Sequence, residues 1–441
     1  MKVFFLGCSQ TLMLAGALLL TSRMAVAQVA FPGAVGYGAT ATGGRSGHAV
    51  YVTNLNDSGP GSFRAAVSKP GAIVVFSVGG IIRLKSAVAI SDNITVAGQT
   101  APGDGIMLYG DKVSVSGENV ILRYLRLRGG ISESPHASSL NVSDAHRIIV
   151  DHLSIEWGRW DDIQAARSSF ITIQNSLIGE SLDPQRFGCL CESDYMTLTH
   201  NLWVDNESRN PKGKGHIQYV NNIVYNWGVS GYVGGHSQED RYADLQGNYF
   251  IEGPSSKNDS FLSMFWPSDH VYQANNMVDL NQNGKLDGRL ITDADFASAK
   301  ATVSTKSVLD SAPLLQVDAP EIAFKKVVAN AGDTLCRDSV DARLIRQTLS
   351  LGVDGKIIDS EEQVGGAPML RTGETPKDTD QDGIPDAWEK EHHLDPNDPK
   401  DANKIGLLTR MCKGHRFTRL SERRRVGFLW RPAVALSAAG S

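Results

Sequence analysis

Cysteine, aromatic side chains and an excess of either charge are all scarce in this 441-residue chain. Its five cysteines, Cys8, Cys189, Cys191, Cys336 and Cys412, are too few for a disulfide scaffold. Lys and Arg total 43 against 48 Asp and Glu, a formal net charge of -5, without the basic stripe of a general nucleic-acid binder. No stretch of the mature chain approaches the run of about 18 apolar residues that a spanning helix needs, so no membrane partner is expected. Aromatics are only 7%, yet 41% hydrophobic and 21% charged residues can build a sizeable core and exclude global disorder. Glycine is plentiful, at 44 residues. The length suits roughly three ordinary domains or one elongated unit.

The N-terminus sets the compartment. Lys2 precedes an apolar run from Thr11 to Leu20, and Ala25-Val26-Ala27 is a small-x-small cleavage site. A signal peptide over 1–27 is expected to be removed, giving an exported protein, extracellular or periplasmic. Cys8 leaves with it. Of the remaining four cysteines, Cys189 and Cys191 lie two apart and face the same way on a strand, too sparse a pattern for a metal site.

A repeat runs through the middle of the chain. Short β-rich runs recur at Ile94-Thr95-Val96, Val120-Ile121-Leu122, Ile148-Ile149-Val150, Ile171-Thr172-Ile173, Met196-Thr197-Leu198, Ile217-Gln218-Tyr219-Val220 and Val271-Tyr272. Their spacing is roughly 21 to 28 residues, with one longer gap spanning Asp244-Leu245, and this period signals a solenoid. No helical pattern separates them, which excludes βαβ units. Asn175, Asn201, Asn222, Asn248 and Asn276 return with the same period, as a ladder of stacked amides would. The fold expected is all-β, a right-handed parallel β-helix with a small C-terminal calcium-loop extension.

The solenoid is expected over residues 28–370, with 28 to about 90 capping the stack and 300–365 packing along the outside. Residues 371–403 turn acidic and form a calcium-binding loop segment. Residues 404–441 carry Arg410, Lys413, Arg416, Arg419, Arg423, Arg424, Arg425 and Arg431 against one acid, Glu422, and read as a disordered or wrongly translated tail.

Three stretches can carry chemistry. Arg209, Lys212 and Lys214 fall within six residues after a strand, a cation cluster suited to a polyanion. One coil earlier, Trp157, Trp160, Asp161 and Asp162 share a loop. Its paired acids can hold Ca²⁺ or serve as the acid/base pair of a glycoside hydrolase, and its indoles can stack on sugars or simply pack. Glu180 and Asp183 follow on the next turn. The third stretch, Asp378-Thr379-Asp380-Gln381-Asp382-Gly383 through Glu389, matches D-x-[DN]-x-[DN]-G-x5-E in full. Asp378, Asp380, Asp382, Asp386 and Glu389 are its expected metal ligands. With Gly373 and Pro376 ahead of it, no helix precedes it, so it reads as a lone structural loop. A looser echo, Asp279-x-Asn281-x-Asn283-Gly284, has Leu290 in its twelfth position and reads as a turn.

Taken in order, Phe31-Pro32-Gly33-Ala34, Tyr51 through Gly59, Ala97 through Gly105, Val150-Asp151-His152, Ser208-Arg209-Asn210-Pro211, Tyr225-Asn226-Trp227-Gly228 and Asp338 through Arg343 resemble a secreted pectate lyase of polysaccharide lyase family 1. The resemblance runs from Phe31 to Asp386. It implies β-elimination on a polyuronate, pectate or polygalacturonate foremost, giving 4,5-unsaturated oligosaccharides, usually with Ca²⁺. The expected partner is an acidic polysaccharide and the expected state a monomer. The family's R-x-P arginine, here Arg209, is the implied base. An arginine ordinarily holds its proton up to about 12.5 or above, so its surroundings must favour the neutral form. Arg186, Lys212, Lys214 and Trp160 are the implied substrate contacts, and Asp161 and Asp162 match an acidic, calcium-binding position.

Two departures stand out. Ser138 occupies a position where relatives carry an aspartate ligand, which weakens a calcium site there. After about Leu408 the acidic ending expected of relatives gives way to the basic tail, as a frameshift or truncation would produce. The alternatives are a β-helix glycoside hydrolase using Asp161 and Asp162, and a carbohydrate-binding β-helix without catalysis. Adjacent residues of one strand face opposite ways, which disfavours the first.

Overall fold

The computed structural model describes residues 28–401 apart from 46, 258 and 259. The signal peptide and the basic tail therefore lie outside the described residues. Within them the chain winds as a parallel β-helix. One wall is a 10-stranded sheet whose first nine strands, from Gly80–Arg83 to Met277–Asp279, stack in parallel, with Arg289–Leu290 added antiparallel at the end. A 17-stranded sheet forms the rest of the wall.

The β-rich runs stack in register. Ile94 pairs with Val120, Val120 with Ile148, Ile148 with Ile171, Ile171 with Met196 and Met196 with Ile217. Ala243 then fills the longer gap and leads to Val271 and Val303. This column is an inner face of the coil, and all but Val303 are buried in one continuous apolar core. Each fully buried aliphatic side chain contributes roughly 1.5–3 kcal/mol, so the stack itself supplies the driving force.

At one corner the backbone turns left-handed in each successive coil, at Tyr124, His152, Asn175, His200, Asn221, Gly247 and Asn275. The next residue points inward, Leu125 and Leu153 into the core and, from Asn201 on, the asparagines of the ladder. The Asn222 Oδ1 accepts from both the backbone and the side-chain amide of Asn201, and Asn248 and Asn276 repeat the arrangement. The ladder differs from expectation at its start. Asn175 occupies the left-handed corner and donates to Asp151 instead, while Ser176, one residue on, donates its backbone N–H to Asn201. The short amide of asparagine serves both places, tolerating positive φ and satisfying buried N–H groups, so periodicity alone does not separate them.

The ends are covered. Helix Phe63–Val67, capped by the Ser62 hydroxyl on the Ala65 N–H, places Phe63 and Val67 on the first coil. Residues 30–41 run across the outside, where Gly38 N donates to Thr172 and Tyr37 N to Thr197. A Cβ at Gly38 would fall on the Ile148 carbonyl, so only glycine fits. The stretch expected along the outside at 300–365 contains two helices, Pro320–Asn330 and Ser339–Leu349. Phe324, Val327, Val340 and Leu344 lie on the Leu177, Leu202 and Ile223 face. Buried arginines lock the second helix down. Arg126 pairs with Asp333 and Asp338, and Arg128 with Glu156, Asp338 and Asp341. Cys189 and Cys191 point into the core with sulfurs 3.2 Å apart, two small apolar fillers beneath Ile163 and Ala165.

Candidate active site

Two long strands, Asp161–Gln174 and Phe187–Thr199, bring three successive turns onto one side of the helix. Asp161 pairs with Phe187, and Phe187 bridges to Ser208, so residues far apart in sequence stand in line. Arg209 follows with a left-handed backbone, φ 60°. A non-glycine residue held there costs on the order of 1 kcal/mol or more, a strain that clusters at functional positions.

The Arg209 side chain is fixed from two directions. Its Nη1 donates to both Asp161 carboxylate oxygens at 3.0 and 3.3 Å. Its guanidinium carbon lies 4.0 Å from the centre of the Phe187 ring. A cation over an aromatic face adds about 0.5–2 kcal/mol as water is removed. Arg209 keeps 18% of its side chain exposed while Asp161 keeps none. Burial pushes the Asp161 carboxyl up to about 6 against the pull of Arg209 and Lys212. Lys212 feels burial and then the charges of Arg209 and Lys214, which lower its pKa. Arg209, Lys212 and Asp161 thus form one electrostatic cluster.

The remaining expected contacts have other partners. Lys214 is paired with Glu192. Arg186 is drawn to Asp183 and to Asp359 of the C-terminal segment. The Trp160 ring lies 4.9 Å from that of His136, whereas Trp157 is fully buried and donates to Glu180 at 3.0 Å, a packing role. Glu180 is in turn held by Arg343.

The structure does not join Asp161 and Asp162 into one cation site. Asp161 is turned to Arg209, while Asp162 accepts from the Gly158 N–H at 3.1 Å, and burial raises its pKa. Neighbours on one strand project to opposite sides. Among the described residues no third His, Cys, Asp or Glu completes a set with them. Ser138 is buried with its hydroxyl unpartnered. These groups do not fit a hard cation that wants six to eight oxygens. The same opposed directions speak against a glycosidase pair at Asp161 and Asp162.

The acidic loop behaves differently. Carboxylate oxygens of Asp378, Asp380 and Asp382 lie within 4.8 Å of one another, and so do those of Asp382, Glu389 and Asp401. Asp386 does not join them. Its carboxylate accepts from the Thr379 N–H at 2.7 Å, the Thr379 hydroxyl and Lys377, closing the turn ahead of helix Asp386–Glu391. The looser echo at 279–287 is a turn in which the Asn281 and Asn283 amides donate to Asp287.

Sequence reasoning missed Phe187 and Asp401. Phe187 carried a signal in its register, one coil from both Asp161 and Ser208. Asp401 lies beyond the loop motif and had none. Glu133 is a third case. It is buried with both carboxylate oxygens unpartnered, and burial beside Asp111 pushes it up to about 8.

No protein-family model matches the chain. A probable pectate lyase C of Aspergillus fumigatus is 42% identical over 381 residues, covering 85% of this chain and 90% of that protein. The Aspergillus flavus protein of the same name is 43% identical over 376 residues, covering 84% and 89%. The chain belongs to the pectate lyase family. Solved structures agree on the fold. The cedar pollen allergen jun a 1 superposes with a TM-score of 0.52 at 18% identity, covering 68% of this chain and 92% of its own. A pectate lyase bound to a hexasaccharide gives 0.52 at 13%, covering 70% and 99%.

Proposed function

We propose that this pectate lyase cleaves a polyuronate of the polygalacturonate type by β-elimination, with Arg209 as the base. The observation that supports it is the double fixation of a partly exposed Arg209 by Asp161 and Phe187. A base must be held at one angle to the proton it removes, and a salt bridge with a stacked ring removes the freedom of a long side chain. In the reaction Arg209 first gives up a proton to solvent, and its neutral guanidine then takes the C5 proton of the uronate. The electron pair forms the C4–C5 double bond as the C4–O bond breaks, and the departing oxygen leaves protonated by solvent. Lys212, half-buried beside Arg209, meets the uronate carboxylate and stabilises the charge that develops toward it. Trp160, which packs on His136, offers a ring to a sugar, and Lys214 and Arg186 are each already paired with an acid. Asp161 faces Arg209 and Asp162 accepts from the Gly158 N–H, so the proposed reaction rests on the side chains of Arg209 and Lys212.

The signal peptide fits an enzyme that meets its polymer outside the cell, working as a monomer. The test is ultraviolet absorbance of the conjugated enoate on mixing protein and polygalacturonate. A rise that disappears in Arg209→Ala with the fold intact supports the assignment. A saturated product, or full activity in Arg209→Ala, overturns it.

A further inference from the structure

The acidic segment carries a second inference, independent of the groove. We propose that residues 378–401 form a divalent-cation clasp of the calcium type that pins the C-terminal segment to the first coils of the β-helix. Five carboxylates supply it: Asp378, Asp380, Asp382, Glu389 and Asp401, in two overlapping sets each within 4.8 Å.

The loop motif is only half of the case. Glu389 is fully buried, and neither of its carboxylate oxygens has a hydrogen-bond partner. Asp380 and Asp382 each turn one similarly unpartnered oxygen inward. Their other oxygens are occupied, with Asp380 accepting from the Asp382 N–H and Asp382 from the Ile384 N–H. Burying several carboxylates without a counter-charge is strongly unfavourable, and a cation in their midst resolves it. An all-carboxylate set with no His or Cys selects a hard ion such as Ca²⁺ over zinc. Gly383, at φ 98°, makes the tight turn between the ligands.

The clasp closes on the other end of the molecule. Tyr51, on the strand His48–Val52, donates its hydroxyl to Asp378. A Cβ at Gly383 would stand 3.3 Å from Ala49 and 3.5 Å from Val75. Thr375 bonds to the Ser77 carbonyl, and Arg371 pairs with Asp104 at 2.8 Å. Ile384 and Trp388 are buried beneath the loop. The ligands therefore hold a segment that rests on the first coils, about as far along the chain from them as the described residues allow.

Terbium luminescence tests the proposal, because Trp388 adjoins Glu389 and can sensitise a Tb³⁺ ion bound there. The full-length protein should give a saturable signal displaced by Ca²⁺. Glu389→Gln should weaken binding by about tenfold or more, while Arg209→Ala keeps it. Ca²⁺ should protect residues 371–377 from proteolysis, and Tyr51→Phe should retain the metal signal but lose part of that protection. Asp380→Asn, at a partly exposed ligand, guards against a failure of Glu389→Gln to fold. Luminescence unchanged in both ligand variants, or proteolysis indifferent to Ca²⁺, overturns the clasp. Loss of lyase activity in Arg209→Ala is read separately, so either idea can fail alone.

Discussion

Asp161 and Arg209 meet across two coils, 48 residues apart in sequence, with a fully buried carboxylate gripping a partly exposed guanidinium at 3.0 Å. On the proposed reading, Asp161 acts by orienting the Arg209 guanidinium. Asp161→Asn keeps the shape and removes the charge, and should lower kcat on the order of 10²-fold with KM little changed, since small misplacements of a reacting group cost that much. Steady-state kinetics on polygalacturonate, with circular dichroism to verify folding, is the check.

The cations around Arg209 are not equivalent. Lys212 has no salt-bridge partner within 4 Å among the described residues, whereas Arg186 and Lys214 each face acids. Lys212→Gln should therefore raise KM several-fold, by roughly 1 kcal/mol of lost binding, and Arg186→Gln should raise it less. Equal KM values for the two variants would contradict this ranking.

The amide ladder makes a stability prediction. In Asn222→Ala, two Asn201 donors lose their acceptor inside the core. About 2–4 kcal/mol should be lost, because buried donors left unsatisfied are costly. Asn175→Gly keeps the left-handed corner and loses only the hydrogen bond to Asp151, which other donors also reach, so it should cost about 1–2 kcal/mol, less than Asn222→Ala. Chemical denaturation of both variants compares them directly.

Glu133 gives a pH dependence. Its carboxyl titrates at about 8 when folded, raised by burial and by Asp111, with Lys112 and Arg159 pulling the other way. Unfolded, it ionises near the usual value of about 4.3. Between these values the folded state binds the extra proton, so stability falls as pH rises through that window. Glu133→Gln removes this slope. Its Tm should exceed that of the parent at pH 9 and match it at pH 4, as calorimetry across pH would show.

Legibility in the sequence followed the physics of each element. The column from Ile94 to Val271 was readable, apart from Ala243, because inward apolar residues repeat at the coil period. The helices Pro320–Asn330 and Ser339–Leu349 were not, although Asp338, which caps the second on the Val340 and Asp341 N–H groups, is a start signal of the usual kind. Arg209 was legible as part of a local cation cluster. The direction of Arg186 was not, because Asp359, 173 residues away, draws it aside. Asp162 was read as a ligand from the acid beside it and Asp386 from its place in the loop, yet among the described residues neither stands in a cluster of three carboxylates, which only the fold reveals. Asp401 reaches the loop only through the fold.

A stack of coils is stabilised by neighbour-to-neighbour contacts and so ravels from whichever end is loose. The segment carrying Arg371, Thr375 and Asp378 returns to Asp104, Ser77 and Tyr51, which sews the far end of the thread back onto the first rows of the fabric. Pulled between the strand His48–Val52 and residue 401, the molecule would load that seam first, and its resistance there would be set by a few side chains at its edge.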